Sequence, residues 1–348
     1  MKKIQTIFAV AFILIGSAWA QNTEEFERLG QTSMTFLDIE VGARAVGMGG
    51  ASTCIDNDVN SIFWNPAGLA KVQGLGFSVN QTNWIADMNQ FAVVAAYGHN
   101  TIGTFGVSLL VMDNGTFERT IPSQDFQLHP DGYYIEGDYT VQQWAAGIAY
   151  SRRLSDRFAL GGQVKYVYEN LGNTDIAVPS LDPTSGEFKY VTQEDQKNRE
   201  GTIALDFGTL YYFGYKDLRV GMNLRNFSRP VTYAYDSFYL PVCLTFSVGM
   251  NVLSPFIHLE EHDLQFSIMM ANPYDGGERV HLGGEYVYNN LVALRAGYRS
   301  NTSVGSFSAG FGFMSKNFIN LNLTLNYAYS STDDVFGPIH RFSLGFGL

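Results

Sequence analysis

The residues whose types and spacing could do chemistry fall in four places. His258, Glu260, Glu261 and His262 bring two imidazoles and two carboxylates into five positions, the donor types of a metal site. The two-histidine helical motif needs a glutamate directly after its first histidine, where this chain has Leu259. The stretch also reads as a turn between strands, so a solvated charged turn is the plainer reading. His340 and Ser343 have the types of a base and a nucleophile. Three positions apart on a strand they lie on opposite faces, and no orienting acid is evident. Gly42, Gly47, Gly49 and Gly50 crowd together as in a phosphate loop, but there is no GxGxxG, no GK[ST] and no strand–helix context. Cys54 and Cys243 have the chemistry to bridge in an oxidising compartment; two buried free thiols is the plainer reading. No catalytic group, cofactor or metal is expected.

Positioning these residues falls to a chain of unusual composition. Its 348 residues include 36 Gly, 26 Phe, 20 Tyr and 4 Trp, with only 16% charged residues and a net charge of -11. Disordered chains lack such aromatics. Nucleic-acid binders carry a basic face, which this balance opposes, and two cysteines make no disulfide scaffold. Met1-Lys2-Lys3, the apolar run Ile4 to Gly16 and Ala18-Trp19-Ala20 read as a cleaved signal peptide over residues 1–20, with Gln21 the first mature residue. No later stretch approaches the roughly 18 apolar residues of a transmembrane helix. Any membrane association of the exported chain must come from strands.

Strands dominate the chain beyond residue 72. From 317 to 330, Ile319, Leu321, Leu323, Leu325, Tyr327 and Tyr329 alternate with Asn320, Asn322, Thr324 and Asn326, so one strand face is apolar and the other amide-rich. The same parity predicts about fourteen strands: 74–84, 89–98, 101–112, 139–151, 155–170, 201–214, 217–227, 240–253, 262–271, 279–289, 291–300, 305–315, 318–330 and 339–348. Most have ten or more residues, against about 5–6 in soluble sheets and about 9–11 for a tilted bilayer crossing. Connections alternate between tight turns, such as His99-Asn100 and Tyr215-Lys216, and two long loops, 113–138 and 171–200. Such asymmetry belongs to outer-membrane barrels, with the short turns in the periplasm.

Charge placement tests this. Lys165, Glu169, Asp206, Arg219, Arg225, Glu285, Arg295, Arg299 and Arg341 all take the parity opposite the apolar face. A charge facing lipid at mid-bilayer costs about 2–4 kcal/mol. Asp156, His262 and His340 break the parity, each within two residues of a strand start. A soluble sandwich or propeller also alternates, but with shorter strands and more charge. The fold class is therefore all-β, a transmembrane antiparallel barrel. Lys165, Asp206, Arg225, Glu285, Arg295 and Asn322 are expected to face its lumen, where most would hold an inner segment rather than line a path.

Residues 21–72 lack this alternation. They carry Gly42-Ala43-Arg44-Ala45-Val46-Gly47-Met48-Gly49-Gly50-Ala51, the acidic Asp56-Asn57-Asp58 and Trp64-Asn65-Pro66-Ala67-Gly68-Leu69. This combination resembles the PorV/PorQ family, itself similar to FadL-type outer-membrane transporters. The resemblance implies an N-terminal hatch (21–72) inside a fourteen-stranded barrel (73–348), with Gly42, Arg44, Met48, Gly49, Gly50, Asn65, Pro66 and Ala67 as hatch motif. It further implies an outer-membrane protein of type IX secretion that binds a translocon or cargo through its extracellular loops. The alternative is a FadL-like channel for hydrophobic compounds, with a hydrophobic ligand or detergent in the lumen. Expected partners are thus outer-membrane lipid and secretion proteins, and not nucleic acid.

Overall fold

The computed structural model describes residues 30–348 apart from 124, 182–187, 216, 234, 254–260, 303, 319–320 and 333–335, and only the backbone at 122, 173–181, 188–197 and 316–318. The expected signal peptide at 1–20, His258, Glu260 and Asn320 lie outside the described residues. The strands are β1 (Gly74–Asn83), β2 (Asn89–His99), β3 (Gly103–Pro122), β4 (Tyr133–Ser155), β5 (Phe158–Leu181), β6 (Phe188–Tyr212), β7 (Arg219–Ser228), β8 (Val231–Tyr233), β9 (Asp236–Phe238), β10 (Cys243–Asn251), β11 (His262–Pro273), β12 (Arg279–Tyr288), β13 (Val292–Arg299), β14 (Val304–Phe318), β15 (Leu321–Thr332) and β16 (Ile339–Gly347). All but β8 and β9 form one closed antiparallel barrel of 14 strands, sealed where β1 meets β16 with Val79 opposite Leu344. Closure leaves no unpaired backbone edge in hydrocarbon.

The period-two pattern sets which way the side chains face. On β3, Val107, Leu109 and Val111 are 53%, 44% and 39% exposed, while Leu110 and Met112 between them are 6% and 4%. The exposed set makes the lipid face. Two outward histidines are accommodated in the same way at opposite ends. His340 Nδ1 lies 2.8 Å from the Tyr327 hydroxyl, and His262 Nδ1 lies 2.6 Å from that of Tyr286. Each sits in an aromatic group, with Tyr329 and with Tyr288 respectively, as in the girdles at a bilayer interface.

Two expectations are corrected. Of the long loops expected at 113–138 and 171–200, residues 113–122 and 133–138, and 171–181 and 188–200, form β-ribbons that continue the barrel strands. β3 and β4 stay paired out to Pro122 opposite Tyr133, and β5 and β6 out to Leu181 opposite Phe188. In the first ribbon, Thr116, Phe117, Thr120 and Ile121 face Tyr134, Ile135, Tyr139 and Thr140, pairs of β-branched and aromatic residues that stabilise a two-stranded sheet. Phe117 stacks on Tyr139 at 5.5 Å, and Arg119 Nε lies 3.1 Å from Glu136. Between β7 and β10 the chain also forms the hairpin β8–β9, which three-residue strands do not announce in sequence. The ribbons share one end of the barrel, and tight turns occupy the other.

Candidate functional site

Residues 30–73 fill the barrel lumen. They begin at the ribbon end, where Ser33 N–H donates to the Tyr239 carbonyl (3.0 Å) and the Thr32 hydroxyl to Asp275 (3.1 Å). Met34, Phe36, Ile39 and Val41 pack there against Leu110, Met112, Val167, Val231 and Leu240. The hairpin is tied to this mouth by the Tyr233 hydroxyl, which donates to Glu169 (2.8 Å).

Further down, short helices carry the chain around the wall. Gly42 has φ +94° and leads into the helix Ala43–Gly47. Asn65 opens the 3-10 helix Pro66–Lys71: its side-chain oxygen accepts from Ala67 N–H (3.1 Å), with proline at the first helical position. The same amide donates to the Thr53 carbonyl (2.7 Å) and to Thr209 of β6 (3.1 Å). One fully buried asparagine thus caps the helix and pins it to the wall.

The wall is bare where the lumenal segment touches it. Added to Gly161, Gly208, Gly221, Gly249, Gly283 or Gly297, a Cβ would run into Pro66, Asn65, Thr53, Cys54, Met48 or Gly49 respectively. Gly310 faces Gly47 in the same way, and Gly98 faces Val72. Residues 47–72 therefore follow the inner wall from β14 round to β2 in van der Waals contact. Gly49 is held doubly: its φ is +63°, and a Cβ there would meet Tyr298 N at 2.8 Å. Sequence reasoning missed this belt, although glycines on inward parity in successive strands would have shown it.

Ion pairs complete the seat. Arg44 reaches Glu285 of β12 through two bonds (3.0 and 2.7 Å) and Asp58 at 3.3 Å, and Arg295 of β13 closes on the same Glu285 at 2.6 Å. Glu40 pairs with Arg299, and Asp56 pairs with Arg219 (2.7 Å) and Lys71 (2.6 Å) and accepts from the Tyr212 hydroxyl (2.6 Å). Burial alone would raise the Glu40 carboxyl, but Arg299 and Arg341 outweigh it and hold it below the ordinary carboxylate range. Asp56 is lowered against its own burial by Arg219 and Lys71. Asp38 goes the other way: burial lifts its carboxyl to about 6, only partly offset by Arg225.

The other predicted residues take their places around this seat. Met48 is buried against Gly283, and Gly50, at φ +77°, lies against Glu40. Lys165 donates to Asp206 (2.8 Å) and Asn226 (2.6 Å) in the lumen. The register shifts at Asp206 where β6 meets β7, and its carboxylate accepts the freed Asn226 N–H (2.7 Å). Arg225 donates to the Phe63 carbonyl (3.2 Å). Asn322 keeps the lumenal parity but lies exposed at the tight-turn rim, opposite Gly347. Ser343 accepts from Ala43 N–H (2.8 Å) inside the barrel while His340 faces outward. Both cysteines are free: Cys54 lies beside Ser267 and Gly249, and Cys243 opens β10 near Ala51 and Met269.

Residues 133–346, from β4 through β16, match the family of type IX secretion system membrane proteins PorP/SprF. The chain belongs to that family. The match begins downstream of residues 42–67 and leaves that motif untouched. Three solved structures share the fold: the toluene transporter TbuX of Ralstonia pickettii (TM-score 0.54, 14% identity, 88% of this chain and 96% of that one), a FadL homologue of Pseudomonas aeruginosa (0.54, 12%, 88% and 98%) and the toluene transporter TodX of Pseudomonas putida (0.53, 15%, 88% and 96%). No curated protein matches in sequence. This PorP/SprF-family chain is thus an outer-membrane barrel of FadL-like fold.

Proposed function

We propose that the protein is a structural component of type IX secretion, a closed barrel that presents its ribbons to the translocon or to secreted cargo outside the cell. Its leader at 1–20 is removed on export, and the segment 21–72 works as a fixed hatch. The observation that carries this reading is the seat of residues 47–72. Close contact with glycines on eight of the fourteen strands, reinforced by ion pairs at Arg44, Glu40 and Asp56, suits a permanent seal better than a gate. The working surfaces are then the ribbons, where Phe126, Leu128 and Ile135 are 68%, 71% and 54% exposed. Exposed apolar groups rimmed by polar ones favour protein contacts. The PorV/PorQ likeness of the hatch motif supports the same role.

Kinship of fold with toluene transporters favours a second reading, a channel for hydrophobic compounds. The cavity beside Leu37 and Ile39 weighs against it. Lined by Leu37, Phe63, Leu110 and Ala145 with Lys165 and Arg225, it measures only about 40 Å³, whereas a cavity that admits benzene is about 150 Å³. The test pairs a ribbon deletion with a locked hatch, the latter a disulfide from A43C/S343C. Surface delivery of secreted cargo should fail with the ribbon 171–200 shortened and persist with the hatch locked. Normal delivery without the ribbon, together with hydrocarbon uptake abolished by the lock, would establish the channel instead.

A further inference from the structure

The tight-turn end of the barrel carries a cleft of about 810 Å³ that neither reading uses. Its walls are the β2–β3 turn, with His99 and Thr101, and the β4–β5 turn, with Arg152 and Arg153; Asn57 and Gln73 of the lumenal segment form its floor. Inside the barrel, Arg44, Arg219, Arg295 and Arg299 each hold a carboxylate. Arg152 and Arg153 are exposed and make no ion pair among the described residues. They are neighbours on one strand end; Asp156 on the same turn also lines the cleft, with Arg157 beside it in sequence. In a chain of net charge -11, two arginines against one aspartate make a local excess of positive charge.

The opposite end has the reverse sign. The ribbon 113–138 carries Asp113, Glu118, Asp125, Asp131, Glu136 and Asp138 against Arg119 alone. An anionic partner is therefore repelled by the ribbon 113–138 and attracted to this cleft. Guanidinium groups bind carboxylates through paired N–H donors, and opposed surface potentials steer encounter and fix orientation. Arg153 keeps the lumenal parity of Ala149 and Ser151, above a floor formed by the lumenal segment inside the strand ring, whereas Arg152 takes the outward parity of Ile148 and Tyr150 and reaches the cleft from its rim. The cleft volume exceeds what one phosphate would fill.

We propose that this cleft is a periplasmic docking site for a carboxylate-rich, extended peptide segment of a partner protein, held by Arg152 and Arg153. The test uses the full protein in nanodiscs of zwitterionic lipid, with fluorescein-labelled octaglutamate as probe and octalysine as control. Binding followed by anisotropy should be saturable for octaglutamate only and should weaken as salt rises from about 20 to about 200 mM. The double variant R152E/R153E should lose roughly tenfold or more in affinity, and R229E at the ribbon end should lose little. Heat-modified migration in gels checks that each variant is folded. Equal affinity of wild type and R152E/R153E overturns the proposal, as does an equal loss in R229E, which would mean response to net charge alone. Unchanged octaglutamate binding with reduced retention of anionic lipid in the double variant would also overturn it, and would assign the arginines to lipid.

Discussion

Arg44 and Glu285, 241 residues apart, form a two-pronged ion pair inside the barrel, with Nε–Oε2 3.0 Å and Nη2–Oε1 2.7 Å. Glu285 is also the partner of Arg295, so one buried carboxylate neutralises a cation on the lumenal segment and one on the wall. Removing one partner of a buried pair costs about 3–5 kcal/mol, because the remaining charge is left uncompensated.

Glu285→Gln leaves Arg295 without its carboxylate and Arg44 with Asp58 alone. The lumenal segment should loosen, giving raised conductance in planar bilayers and earlier proteolysis between residues 40 and 60. Conductance and protease resistance equal to wild type would show that the segment is held without this pair.

The glycine belt predicts a contrast between two alanines. Gly297→Ala drives a Cβ into the backbone of Met48 and Gly49, whereas Gly137 on the ribbon has nothing within 4 Å of the same position. Neither the wall nor the segment can give way there by rotating a side chain. G297A should lower the temperature at which the folded gel band converts to the unfolded one, and G137A should leave it unchanged.

The lipid face predicts a polarity rule at Leu325, which is 45% exposed. Leu325→Arg should cost about 2–4 kcal/mol if the site lies near the bilayer midplane, and membrane levels should fall. Leu325→Phe keeps the apolar surface and should assemble normally. Equal levels of the two variants would place this face against water.

Acid should loosen the seat, and the sign comes from the carboxylates concerned. Glu40 and Asp56 are held below their ordinary values of 4.5 and 3.8, so their contribution is present above those values and is lost as pH falls through the lower, folded ones. Asp38 is opposite: it binds its proton more tightly when folded, so between 3.8 and about 6 stability declines as pH rises. Asp38→Asn should therefore raise heat resistance at about pH 8 and change little below about pH 4. Thermal gel shifts across that range decide it, and an effect of D38N confined to acid would reverse the assignment.

The barrel itself was legible in the sequence. Alternation of period two is a local property, imposed residue by residue because one face meets hydrocarbon and the next the lumen. It places Leu325 and Phe342 outward and Glu285 and Arg341 inward without reference to any other strand. The ribbons were legible in composition but not in conformation, since the pairing of Phe117 with Tyr139 depends on two segments continuing in register beyond the membrane. What only the tertiary structure decided is the seat. That Gly297 lies bare for Gly49, that Arg44 meets Glu285, and that Cys54 reaches Ser267 rather than Cys243 are contacts between residues separated by hundreds of positions. They exist only once fourteen strands have closed around the segment, because ring closure, and no local preference, brings each wall residue to one height and one bearing inside the lumen.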